Sequence, residues 1–231
     1  MEHETPPIAA DRPEPGSVSA LRTSLDRALA ARDRAAAISI VAEAIDSGTI
    51  TIPDLYTLVL GPLLTDTGSA WQAGVTRVWE EHYASATVRT IIESLASRVA
   101  EVAADVPARG ETVLLACPPE EYHDLGLRML LDRFLLAGYD AHFLGADTPV
   151  PEICDAAERL GATLVVLSAS THYHRVRLRD TIGSLQRGLP AGTRLSVGGP
   201  AFAHDNESFS DLVLDPAELD LPGGAPASED G

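Results

Sequence analysis

The sequence predicts an α/β protein with an N-terminal all-α part: a helical bundle followed by a doubly wound parallel sheet of the Rossmann-like, flavodoxin type. Three observations predict it. Up to about residue 105, apolar residues recur at helical spacing. At Val106-Pro107-Ala108-Arg109-Gly110 that rhythm stops, and Thr112 to Cys117 forms a continuous run suited to a strand covered on both faces. Beyond it, strand-length and helix-length stretches alternate, which implies right-handed crossovers and a parallel sheet.

The elements follow in order. Residues 1–16 are acidic and proline-rich with no periodic apolar face, and predict a disordered arm. The bundle then spans residues 17–105. Ser17 is placed to N-cap a first helix carrying Leu21, Leu25 and Leu29, and Asp33 a second carrying Ala37, Val41 and Ile45. Thr51 and Pro53 open a third segment that meets Gly61-Pro62. A short helix with Trp71 ends near Gly74, and one long helix is predicted from Thr76 to Ala104. The α/β domain spans residues 110–214. Its predicted strands are Thr112–Cys117, Asp140–Leu144, Thr163–Leu167, Arg194–Val197 and a fifth over Phe209–Leu214. Helices over Leu125–Ala137, Val150–Leu160 and Arg175–Arg187 connect them. Residues 215–231, rich in Pro, Gly and acidic side chains, predict a disordered tail.

Composition narrows the function classes. Lys and Arg number 17 against 34 Asp and Glu, for a net charge of −17. Such a surface repels a phosphate backbone, so unaided binding to nucleic acid is not expected. The two cysteines, Cys117 and Cys154, form no CxxC pair, which argues against a cysteine zinc site. The N-terminus has no basic and apolar leader pattern, and no apolar run has the length of a membrane span. The expected compartment is the cytoplasm.

In doubly wound sheets ligands bind beyond the carboxyl ends of the strands. Glu121, His123 and Gly126 follow the first predicted strand, Ser168 and Ser170 the third, and Gly198-Gly199 the fourth. Taken singly, each also has an ordinary role: a solvated loop histidine, helix-capping hydroxyls, a glycine turn. His172, Tyr173 and His174 are expected at the surface, as are His204, Asp205 and Glu207. No G-x-G-x-x-G follows the first strand, so a dinucleotide site is a poor alternative.

Together, Glu121-x-His123-x-x-Gly126, Ser168-x-Ser170 and Gly198-Gly199 resemble the Asp-x-His-x-x-Gly, Ser-x-Leu and Gly-Gly signature of cobalamin-binding domains, as in methionine synthase and the base-off mutases. The resemblance implies that His123 is the lower axial ligand to cobalt. Glu121 would orient its ring, Ser168 would bond the displaced benzimidazole, and Gly126, Gly198 and Gly199 would leave room for the nucleotide tail. Glu121 stands where the signature has Asp, and a longer carboxylate can keep the orienting role. Ser170 stands where it has Leu, a change expected to touch only local packing.

The bundle then resembles the helical cap that precedes many such domains, with cobalamin held between the two. Trp71, followed after residues 72–80 by Glu81-His82, is similar to the cap signature of CarH/LitR-type photoreceptors, which use adenosylcobalamin. That implies a Trp beside the adenosyl group, a Glu-His pair at its pocket, and a light-driven switch. Those regulators carry an N-terminal winged-helix domain; here only a short acidic arm precedes the cap, so output through a protein partner or homo-oligomer is expected. In some of them a His directly after the Trp takes cobalt's upper position in the light. Gln72 occupies that place, so water is the expected replacement, with His82 the nearest imidazole. The alternative is a corrinoid methyl carrier of a methyltransferase system, which shares the layout. No catalytic residue is identified.

Overall fold

The computed structural model describes residues 13–202 and 209–223. The expected disorder of residues 1–12 and 224–231, and the surface placement of His204, Asp205 and Glu207, lie outside the described residues. The chain divides into two compact units meeting at Leu95/Ala96.

The first unit is all-helical: α1 (Pro15–Ala30), α2 (Arg34–Asp46), α3 (Ile52–Asp54), a π-helical stretch (Leu55–Leu60), α4 (Gly61–Gln72) and α5 (Val78–Ser94). Leu25, Val41, Leu55, Val59, Leu60, Val88, Ile91 and Ile92 form its buried side. Asp33 caps α2 by accepting from the Ala36 N–H, and Thr51 caps α3 by accepting from that of Asp54. Helix α1 starts two residues before the expected cap. Pro15 fills the first turn, where a missing N–H costs nothing, and Ser17 Oγ donates to the Glu14 carbonyl. Gly61-Pro62 does not stop the third segment. Pro62 has no N–H and its ring crowds the preceding carbonyls, and the π stretch accommodates it without ending the helical run.

The long helix expected from Thr76 to Ala104 is two helices, α5 and α6 (Ala96–Ala104), broken at Leu95. Helix α6 buries Val99 and packs on α7 of the second unit, so the boundary lies near residue 95 rather than 105.

The second unit continues with β1 (Thr112–Ala116), α7 (Leu125–Leu136), β2 (Asp140–Gly145), α8 (Val150–Leu160), β3 (Leu164–Ser168), α9 (His172–Gly188) and β4 (Arg194–Gly198). All pairings are parallel and the strand order is β2-β1-β3-β4. The order reverses between β1 and β3, where such sheets open a crevice. Alternating strand residues serve opposite faces. Leu114 and Ala116 join Ile153, Ala157, Leu178 and Leu185 of α8 and α9, whereas Val113 and Leu115 join Leu127 and Phe134 of α7. Cys154 and Cys117 belong to these opposite faces, and both are free thiols.

Two expectations are corrected at the C-terminal end. The fifth strand reduces to a single bridge, Val197 with Val213. Residues 215–223 are not a disordered tail. Leu219 and Leu221 pack with the α7-side core, and Arg133 Nε donates to the Pro222 carbonyl at 2.6 Å. Two leucines and one guanidinium anchor a segment whose Pro and Gly content predicts disorder. Among the described residues no helix is long and apolar enough to cross a membrane.

Candidate functional site

The loop leaving β1 carries the site. Glu120 sits in the left-handed region, at φ +70°, and its N–H donates to Asp147 Oδ1 at 2.8 Å. The Asp147 N–H in turn donates to the Glu121 carbonyl. These bonds fasten the β1–α7 loop to the β2–α8 loop and turn Glu121 inward. Its side chain is fully buried, while that of His123 is 66% exposed.

Every oxygen of the buried carboxylate is engaged. Oε1 accepts from the His123 N–H at 2.9 Å and faces His123 Nδ1 at 2.7 Å. Oε2 accepts from the Ser170 N–H at 2.7 Å and from Ser170 Oγ at 2.8 Å, and faces His174 Nδ1 at 3.0 Å. Burial pushes the Glu121 pKa up, but the hydrogen bonds from His123 and Ser170 outweigh it and bring it from 4.5 to about 2. An ionised Glu121 accepts a hydrogen bond from His123 Nδ1–H and so favours the Nδ1-protonated tautomer. That tautomer puts the ring lone pair on Nε2, the usual arrangement of a metal-bound imidazole.

Two corrections follow. Ser170 is more than a packing residue, because it supplies two of the bonds that hold Glu121 ionised. His174 is not simply a surface residue: its side chain is 15% exposed and lies against Glu121, Ser170 and Thr171. Thr171 caps α9 by accepting from the His174 N–H, which sets that helix start against the site. Tyr173 and Arg177 of α9 reach Glu120, at 3.1 and 2.9 Å, and tie the same helix to the β1 loop. His172 and Tyr173 are exposed, as expected.

The remaining residues lie at the ends of β3, β4 and the start of α7. Ser168 is buried, and among the described residues its hydroxyl has no hydrogen-bond partner. The three glycines differ. Gly199 has φ +103°, and a Cβ there would stand 2.6 Å from the Ala169 carbonyl oxygen, so the fold itself demands glycine. A Cβ on Gly126 or Gly198 would meet nothing within 4 Å. An imidazole, a serine hydroxyl without a described partner and two unfilled glycine positions fit an axial ligand, a bonded base and a close-lying nucleotide tail.

Trp71, Glu81 and His82 belong to the helical unit. Trp71 lies in the last turn of α4, 45% exposed. Glu81 is in the first turn of α5, where Oε1 accepts from Ser85 Oγ at 2.6 Å and Oε2 lies 3.5 Å from His82 Nε2. The His82 side chain is 73% exposed.

Residues 111–219 match the B12 binding domain family, and residues 21–96 match a second family of the same description. Over 163 residues the chain is 32% identical to the HTH-type transcriptional repressor CarH of Myxococcus xanthus, a match taking in 70% of this chain and 52% of the repressor. The chain thus spans about half the length of that relative. It is 24% identical over 180 residues to Dimethylamine corrinoid protein 2 of Methanosarcina acetivorans, with 75% of each chain covered. The monomethylamine corrinoid protein of Methanosarcina barkeri superposes with a TM-score of 0.69 at 18% identity, covering 87% of this chain and 95% of that one; at this identity the likeness concerns the fold. With B12-binding matches over both units, and with the His loop, free hydroxyl and open glycines in place, the chain belongs to the cobalamin-binding domain proteins.

Proposed function

We propose that this protein is a light-responsive adenosylcobalamin sensor, with His123 as lower axial ligand and an output that passes through a protein partner or homo-oligomer. When bound, the cofactor supplies a light-labile cobalt–carbon bond. The chain's own residues hold it and register its state. His123 offers Nε2, Glu121 accepts from its Nδ1–H and so fixes the tautomer, and Ser170 holds Glu121 in place with two hydrogen bonds. Ser168 offers its free hydroxyl to the buried base, and Gly126 and Gly198 leave the tail unobstructed. In the helical unit, Glu81 has acceptor capacity beyond its bond to Ser85 and can receive ribose hydroxyls. Trp71 supplies an apolar face for the adenosyl group. Loss of that group changes what these residues contact, and such a difference in binding shifts a conformational population.

The observation that carries the sensor reading is the pairing of Trp71 with Glu81-His82, in a chain 32% identical to a CarH repressor. The second reading, a methyl-carrying corrinoid subunit, is favoured by the 24% identity to a dimethylamine corrinoid protein. Absorption spectra of the adenosylcobalamin complex before and after green light separate them. A photolabile complex is expected. A light-stable complex, with methyl transfer to a partner methyltransferase, would establish the second reading instead.

A further inference from the structure

Glu121 divides its two oxygens between two imidazoles. His123 Nδ1 stands 2.7 Å from Oε1 and His174 Nδ1 3.0 Å from Oε2. Ser170 Oγ stands among the same atoms, 2.9 Å from His123 Nδ1, 3.1 Å from His174 Nδ1 and 2.8 Å from Oε2. Ligand atoms of Glu121, His123 and His174 all lie within 4.8 Å of one another. We propose that these residues bind a divalent transition-metal cation of the zinc class in the cofactor-free protein, and that this ion and cobalamin exclude each other by competing for His123.

Three arguments support this. Two histidines and a carboxylate are a common zinc set, leaving a fourth position open. With zinc–ligand bonds of about 2.0–2.1 Å, the ligand atoms of a tetrahedral site stand roughly 3.3 Å apart. The two carboxylate–imidazole separations, 2.7 and 3.0 Å, need to open by only a few tenths of an ångström, and the three ligand atoms already lie within 4.8 Å of one another. His123, two-thirds exposed, is the side chain free to make that adjustment. The environment also suits: the carboxyl group is fully buried and both imidazole Nδ1 atoms face it, so a cation would sit where the three donor atoms converge. Coordination through Nδ1 requires each ring to carry its proton on Nε2, and that tautomer denies His123 Nε2 to cobalt. Access exists through the two imidazoles: His123 is two-thirds exposed, and His174 lines a cleft of about 320 Å³ between the β1 loop, α8 and α9. The proposal is independent of the sensor reading.

The test uses the full chain, freed of cofactor and stripped of metal with a chelator. Cobalt(II) is titrated as a spectroscopic probe and zinc by calorimetry. One ion per chain is expected, with visible bands of tetrahedral intensity that zinc displaces. His174→Ala and His174→Gln should each weaken metal binding by about tenfold or more, while circular dichroism and a cooperative thermal melt of the same preparations show that they are folded. Zinc-saturated protein should take up cobalamin more slowly, and chelator should restore the rate. The proposal is overturned by the absence of saturable binding, by unchanged metal affinity in both folded His174 variants, or by simultaneous occupancy by zinc and cobalamin. Cobalamin binding is read separately by its own spectrum, so failure of this site and failure of the sensor reading give different results.

Discussion

The two units present their candidate residues in opposite ways. In the α/β unit the decisive group is buried: Glu121 has no exposed surface and is met by two backbone N–H groups, a hydroxyl and two imidazoles, one from the β1 loop and one from the start of α9. In the helical unit Trp71 and His82 stand in solvent, and Glu81 is bonded mainly to its own helix through Ser85. The first arrangement is complete without a ligand, so the His123 imidazole is held in place at no further entropic cost. On the proposed function, the second is completed by its ligand. An anchor and a sensor make these different demands: the anchor should be the same in every state, and the sensor should have contacts to lose.

The sharpest way to break this comparison is to remove the anchor. His123→Ala should leave the fold intact, since the ring is largely exposed and packs little. It should abolish the imidazole-ligated cobalamin spectrum and weaken binding by about 100-fold or more, because loss of even an outer-shell partner costs up to that much. An unchanged spectrum and affinity would remove His123 from the site.

Glu121→Gln tests whether the anchor is prebuilt. The folded pKa of Glu121, about 2, lies below its ordinary 4.5. A depressed carboxyl contributes stability that is complete above 4.5, declines as pH falls toward 2 and is gone below it. The difference corresponds to roughly 3 kcal/mol. Denaturant unfolding of cofactor-free protein at several pH values should therefore show wild type losing its advantage over Glu121→Gln between about pH 4.5 and 2. A pH-independent gap between the two would mean that the carboxylate is not stabilised as the geometry requires.

Part of this anchor is legible in the sequence and part is not, for a physical reason. Glu121, His123 and Gly126 lie within one loop, so their spacing alone displays the motif. Ser170 and His174 act on Glu121 only because β3 pairs directly with β1 and brings a loop 49 residues away against it. Nothing local marks that. A histidine three residues after a helix-capping Thr has the same pattern whether it faces solvent or a buried carboxylate. The same limit explains α6, whose apolar face is plain but whose partner, α7, is a matter of tertiary packing. The glycines are the mirror case. All three are visible in the sequence, yet only coordinates separate Gly199, which the backbone requires, from Gly126 and Gly198, which it does not.

That separation predicts effects of opposite sign. Gly199→Ala should destabilise by about 2 kcal/mol, since it forces a Cβ into the left-handed region and against the Ala169 carbonyl. Gly126→Ala lies in the first turn of α7 with open space around it, so it should stabilise the free protein by about 0.5 kcal/mol through helix propensity. If a nucleotide tail lies close to that backbone, the same substitution should weaken cobalamin binding. Thermal melts with and without cofactor measure both. A Gly126→Ala protein that is more stable and binds cobalamin as well as wild type would show that the open space serves no tail.

The smallest expected effect probes the sensor side. Glu81 is about three-quarters buried, with Oε1 on Ser85 and Oε2 3.5 Å from an exposed His82 ring. A ribose hydroxyl donating to this carboxylate gains one charge-assisted hydrogen bond in a partly wet setting, worth about 1 kcal/mol, or roughly fivefold in affinity. Methylcobalamin has no ribose in that position. Glu81→Ala should therefore reduce affinity for adenosylcobalamin about fivefold and leave methylcobalamin nearly unchanged, narrowing the preference between them. The ratio of the two affinities is the measurement that matters. Any general disturbance of α5 would lower both together, whereas loss of a ribose contact lowers only one. Equal losses, or no preference in the wild type, would leave the helical unit without an adenosyl contact at Glu81 and would move the balance toward a methyl-carrying corrinoid protein, whose upper ligand has no hydroxyl to recognise.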